Sequence, residues 1–67
     1  MADKFVQILA ASSVVEGEIA KGRLESEGIP VLLKGEGLDA PYPTGPVYVF
    51  VPASFEGRAR HLLEEGN

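Results

Sequence analysis

Gly28 and Pro30 fix where the first helix of this chain must stop. Glycine accepts the left-handed backbone angle that closes a helix, and a proline two residues later cannot continue one. Upstream, Ser12 and Ser13 stand where a hydroxyl can accept a bond from a free backbone N–H, and Ser13 with Glu16 has the spacing of a capping box. These signals bound a helix from Val14 to Glu27. It is flanked by two β-prone runs, Lys4 to Ala10 and Ile29 to Lys34.

After the second run, Gly35 to Gly45 holds three glycines and two prolines, which marks a loop. Val47-Tyr48-Val49-Phe50-Val51 is the clearest strand. Pro52 suits the first turn of a following helix, where its missing N–H costs nothing. Phe55, Ala59, Leu62 and Leu63 then recur on one amphipathic stripe. The order is β-α-β-β-α. The third strand fits between the first two, antiparallel to both, with two helices on one face. The predicted fold class is α+β: a ferredoxin-like plait with a mixed or antiparallel three-stranded sheet, lacking a clear last strand. Residues 1–67 read as a single domain.

A chain of 67 residues buries only about 60% of the surface its unfolded state exposes, so its stability margin is thin. Small domains often rely on disulfides, metals or self-association. The chain has no cysteine, which removes disulfides and thiolate metal sites, and its one histidine, His61, cannot build a metal site without carboxylate allies. Self-association is the aid that remains. The formal charge is −4 and the six Lys and Arg residues are scattered. That pattern gives no footprint for nucleic acid or for an anionic membrane. The apolar runs are too short to span a bilayer, no signal peptide is visible, and the expected location is the cytoplasm.

No constellation for chemistry converges. Gly17, Gly22 and Gly28 lack dinucleotide spacing and read as packing or capping glycines; Gly35-Glu36-Gly37 reads as turn chemistry. Glu25 with Glu27, and Glu64 with Glu65, are too close along a helix to face each other across a substrate. Ser12 and Ser13 lack a nucleophile elbow and read as caps. His61 reads as structural or exposed. The chain is expected not to be an enzyme, with no cofactor and no metal.

Two kinds of surface stand out instead. Ser13, Gly17, Ala20 and Leu24 share the face of the first helix that suits a sheet, whereas Val15 and Ile19 lie on a separate stripe and mark a candidate contact with another chain. The first strand reads as apolar on both faces, Phe5 and Leu9 on one, Val6 and Ile8 on the other. The third strand does the same with Tyr48 and Phe50 opposite its valines. Two helices cover one face only. The exposed face, together with a free first-strand edge, predicts a homodimer whose interface draws on Phe5, Leu9, Val15, Ile19, Tyr48 and Phe50. The loop is a second candidate surface for a protein partner, through Leu38, Asp39 and Tyr42.

The segment Glu16-Gly17-Glu18-Ile19-Ala20-Lys21-Gly22-Arg23-Leu24-Glu25-Ser26-Glu27-Gly28-Ile29-Pro30-Val31, followed by Val51-Pro52 and Ala59-x-x-Leu62-Leu63, resembles a bacterial family of unknown function named for a putative role in signal transduction. The resemblance covers nearly the whole chain; at the position of Gly17 the family more often has alanine. It implies a GlnB-like fold, that of nitrogen-regulatory PII proteins. It does not imply their ligands, because no nucleotide-binding loop is present. The reading that follows is a non-catalytic regulatory or adaptor module acting through protein contacts. The alternative is a small-molecule sensor of the ACT or PII type, and an acylphosphatase-like enzyme lacks the loop arginine and asparagine it would need.

Overall fold

The computed structural model describes residues 3–39, 41 and 44–65. The elements are β1 (Phe5–Ala11), α1 (Val14–Ser26), β2 (Leu32–Lys34), β3 (Val47–Pro52) and α2 (Glu56–Glu65), with short 3-10 turns at Glu36–Asp39 and Ala53–Phe55. The protein is α+β, and its strands form one sheet in the order β1-β3-β2, with β3 antiparallel to both neighbours.

α1 starts and stops where its local chemistry dictates. The Ser13 hydroxyl accepts the Glu16 N–H at 3.2 Å, and the Glu16 carboxylate reaches back to Ser12, accepting its N–H at 3.1 Å and its hydroxyl at 2.7 Å. Two otherwise free donors are thereby satisfied, one residue earlier than in the usual reciprocal box. At the other end Gly28 takes φ 81°. Its N–H donates to Glu25 O at 2.9 Å, and the Ile29 N–H donates to Leu24 O at 3.1 Å. This is a Schellman closure, with the apolar contact between Leu24 and Ile29 that usually accompanies it.

The strand expected from Ile29 to Lys34 is shorter. Ile29 is consumed by the helix closure, Pro30 has no N–H to give a ladder, and pairing starts only at Leu32. Pro52 is also placed differently from expectation. It ends β3 rather than opening a helix, and stands opposite Phe5. The Ala53 N–H donates to Lys4 O at 2.7 Å. Lys4 therefore turns its backbone toward β3 and Phe5 turns its own away, so the missing N–H of Pro52 leaves no partner unsatisfied.

Both helices cover one face of the sheet. Ile8, Val49 and Val51 of the sheet form one core with Ala20 and Leu24 of α1, Ile29, and Ala59 of α2. Phe55, Leu62 and Leu63 pack against it, as the stripe in the sequence requires. α1 approaches so closely at Gly17 that a side chain there would overlap Val47 Cγ2. Gly22 is exposed with open space around it and has no such role.

β1 corrects one expectation. An irregularity between Gln7 and Leu9 inserts Ile8 as an extra residue, so Gln7 faces Phe50 and Leu9 already faces Val49. Antiparallel partners point to the same side. Leu9 is thereby switched to the helix side, with Val6, Ile8 and Ala11, and does not share a face with Phe5. A bulge shifts alternation by one residue in just this way.

Gly17→Ala should destabilise the protein by about 1–3 kcal/mol, the usual range for overpacking, despite alanine's better helix propensity. In a Val47→Ala background the same substitution should cost little. Denaturant titration of the four members of this cycle checks the coupling.

Candidate functional site

Three surfaces collect the residues singled out from the sequence. The first is the sheet face opposite the helices. The pairing places Phe5, Gln7 and Ala10 of β1, Tyr48 and Phe50 of β3, and Leu32 and Lys34 of β2 on it. Leu32 lies beside Phe50, and Lys34 beside Tyr48. Phe5 and Leu32 are each 41% exposed and Tyr48 37%. The Lys34 ammonium sits 5.2 Å from the centroid of the Phe50 ring, within cation–π range. Leu32 was not among the sequence candidates. Its signal was the alternation Leu32-Leu33-Lys34, readable only once β2 is known to begin at Leu32.

The second surface is the flank of β1. Here an open groove of about 350 Å³ lies between α1, α2 and the strand. Ile8, Leu9, Ala20 and Leu63 are among the residues that line it, with Ile19 on the α1 side. Ile19 and Val15, one turn apart, are 60% and 68% exposed. The six residues expected to form one interface thus fall on two surfaces. Phe5, Tyr48 and Phe50 share the open face, Leu9 and Ile19 border the groove, and Val15 extends the groove's α1 wall.

Charges bound this groove, and the direction of the helices sorts them. Arg58 of α2 pairs with Glu27 of α1 at 3.5 Å, and Arg23 donates to Leu62 O at 3.3 Å, so the helices run antiparallel. Arg23 and Arg60 fall toward one end of the groove, Glu16 and Glu64 toward the other. Arg60 also reaches the strand. Its guanidinium donates to Gln7 O at 3.4 Å and Ile8 O at 3.5 Å, while pairing with Glu56 at 3.2 Å. The outward-turned carbonyl of Gln7 and the carbonyl of the inserted Ile8 are satisfied in this way.

Glu16 has a shifted titration. The Ser12 hydroxyl first, and the Ser12 N–H second, hold its carboxyl below the ordinary value of 4.5. A charge-stabilised carboxylate prefers the folded state while it is ionised.

The third surface is the loop. Leu38 is half-buried in the 3-10 turn, whose backbone includes Asp39, and the Leu38 N–H donates to Gly35 O at 3.3 Å. Tyr42 lies outside the described residues. The two arms of the loop touch through backbone: a Cβ on Gly37 would overlap Thr44 O, and one on Gly35 would lie 2.8 Å from Pro46 O. These glycines serve close approach, in keeping with their reading as turn residues. Among the described residues no three His, Asp or Glu side chains gather around a point that could hold a metal. His61 pairs with Glu65 at 3.3 Å on the exposed side of α2.

The family model described as "Putative prokaryotic signal transducing protein" matches residues 5–67. The chain belongs to this family. The match runs from the first residue of β1 through α2, and so includes all three surfaces. No curated protein and no solved structure matches the chain. Among the described residues no helix is long and apolar enough to cross a membrane.

The Glu16 contribution to stability should be fully present above pH 4.5 and disappear as pH falls through the lowered folded-state value. Glu16→Gln keeps an acceptor for Ser12 but carries no charge. The stability gap between the two proteins should therefore hold steady near neutral pH and close in acid. Urea midpoints measured across an acid pH series test this, and a gap that persists undiminished in acid refutes it.

Proposed function

We propose that this chain is a non-catalytic regulatory module that transmits a signal by protein contact, and that the open face of its sheet is where a partner protein docks. The family's name points to signal transduction. The observation that carries the reading is the uncovered band formed by Leu32, Phe50, Tyr48 and Phe5, in a chain whose helices cover only the other face. Partly exposed aromatic and leucine side chains lie side by side there, and Lys34 is the charged residue that the described strands add to them. An apolar centre with a charged margin is the anatomy of a protein-binding patch.

The strand order β1-β3-β2 and the helices on one face support a ferredoxin-like plait, with no fourth strand among the described residues. The described arms of the loop, at Glu36, Gly37, Thr44 and Gly45, lie near Tyr48, at one end of the uncovered face. The chemistry expected of the partner is an apolar patch with a carboxylate placed to meet Lys34.

Tyr48→Glu and Leu32→Glu place charge in this band at partly exposed positions, so the melting temperature should change little. A tagged full-length chain should retain a specific protein from its host's lysate, and both variants should lose it. Retention by both variants refutes the docking face. A panel of cellular metabolites supplies the contrasting outcome, because a specific small ligand raises the melting temperature by mass action. Such a rise would favour the sensor reading instead.

A further inference from the structure

We propose that a second copy of this chain docks on the β1 flank, edge to edge and antiparallel, about a twofold axis passing near Ile8 and Leu9. Three features meet on that flank. The first is the edge. β1 has only β3 as a neighbour among the described residues. Lys4 turns its backbone toward β3, because its carbonyl accepts the Ala53 N–H. Alternation then turns Phe5 and Gln7 outward, and after the bulge at Ile8 it turns Ala10 outward. These groups ask for an extended backbone, and β1 of a second copy is one.

The second feature is the groove beside that edge. A strand added to β1 sends alternate side chains to the helix side of the sheet. There the groove offers Ile8, Leu9, Ala20 and Leu63, with Ile19 exposed on its wall. A single patch suffices for a twofold contact, since each copy presents the same surface to the other.

The third feature selects the occupant. Arg23 and Arg60 mark one end of the groove, Glu16 and Glu64 the other. Glu16 and Arg23 are seven residues apart, or roughly 10 Å along a helix. An antiparallel copy centred on the middle of the groove sets its acidic end against the basic end of the first, twice over. Among the described residues the strands contribute one charged residue, Lys34, to the open sheet face, which therefore lacks the groove's arrangement of two arginines and two glutamates. Arg60 currently shields the Gln7 and Ile8 carbonyls through contacts of 3.4–3.5 Å. Such long bonds exchange readily for a strand's N–H groups, which frees the guanidinium to meet the neighbour's carboxylates.

Sedimentation equilibrium of the full chain over a wide concentration range should show a monomer–dimer equilibrium. Ile19→Glu charges a position that is already exposed, and should weaken the dimer by at least about tenfold. Ala10→Pro removes an outward N–H that the monomer does not use, and should weaken it similarly while circular dichroism stays unchanged. Arg23→Glu and Glu64→Arg should each weaken the dimer alone and restore it when combined. A monomer at every concentration overturns the proposal. So does a dimer that survives both Ile19→Glu and Ala10→Pro, or a charge-reversed pair whose losses merely add. A monomer whose Ile19→Glu variant loses capture of a different protein overturns it in favour of a foreign strand.

Discussion

Val47, Val49 and Val51 have no exposed surface, and the architecture depends on the strand that carries them. β3 pairs with β1 on one side and β2 on the other. Its valines point together at the helices because residues two apart on a strand share a face. Val47 meets Gly17 of α1, while Val49 and Val51 meet the core formed with Leu24, Ile29 and Ala59. In a chain this short, little else can substitute for that layer. The close approach at Gly17 follows directly: a β-branched side chain fixed in a central strand cannot move aside, so the helix gives up a Cβ instead.

The inserted Ile8 has the widest consequences after β3. Without it, Leu9 would join Phe5 on the open face and add a large apolar group to the side that the helices leave uncovered. With it, four of the seven β1 residues (Val6, Ile8, Leu9 and Ala11) serve the helix side, and the open face receives Phe5, Gln7 and Ala10. The same insertion disturbs the ladder at Ile8, whose carbonyl Arg60 takes up together with the outward one of Gln7. Bulges and cations are familiar means of discouraging indiscriminate edge pairing. On the proposed docking, they would restrict this edge to an incoming chain that also satisfies the charges at both ends of the groove.

The reading from sequence was accurate wherever one local cause fixed the structure. Ser13 and Gly28 bounded α1 because capping and left-handed closure are decided within a few residues. The alternate valines and the Phe55 to Leu63 stripe announced their faces for the same reason. It went wrong where the cause was distant or added a residue. Nothing within the run Phe5 to Ala11 signals that Ile8 is extra, since that depends on its register against Val49. β2 was read too long because Ile29 suits a strand and a Schellman contact equally well. The six candidate interface residues were read as one set. Their division between the open face and the groove depends on that same bulge. Arg60's reach to Gln7 and Ile8 spans more than fifty positions, beyond any local signal.

A net charge of −4 per chain works against bringing two copies together. The opposition is weaker than the count suggests, because salt screens exposed charges beyond about 8 Å at physiological strength. Within that distance the arrangement matters more than the sum. The groove's two arginines and two glutamates are balanced, and across an antiparallel twofold every near neighbour has the opposite sign. The acidic excess lies partly elsewhere: Glu18 and Glu25 of α1 do not line the groove. Like-charge repulsion therefore acts at longer range, where it is screened, while attraction acts at contact, where desolvation strengthens it. The same logic assigns the two apolar surfaces different partners. The flank carries both signs of charge, as the proposed contact between two copies requires. The described strands give the open face one charged residue, Lys34, in keeping with the separate partner protein proposed for it.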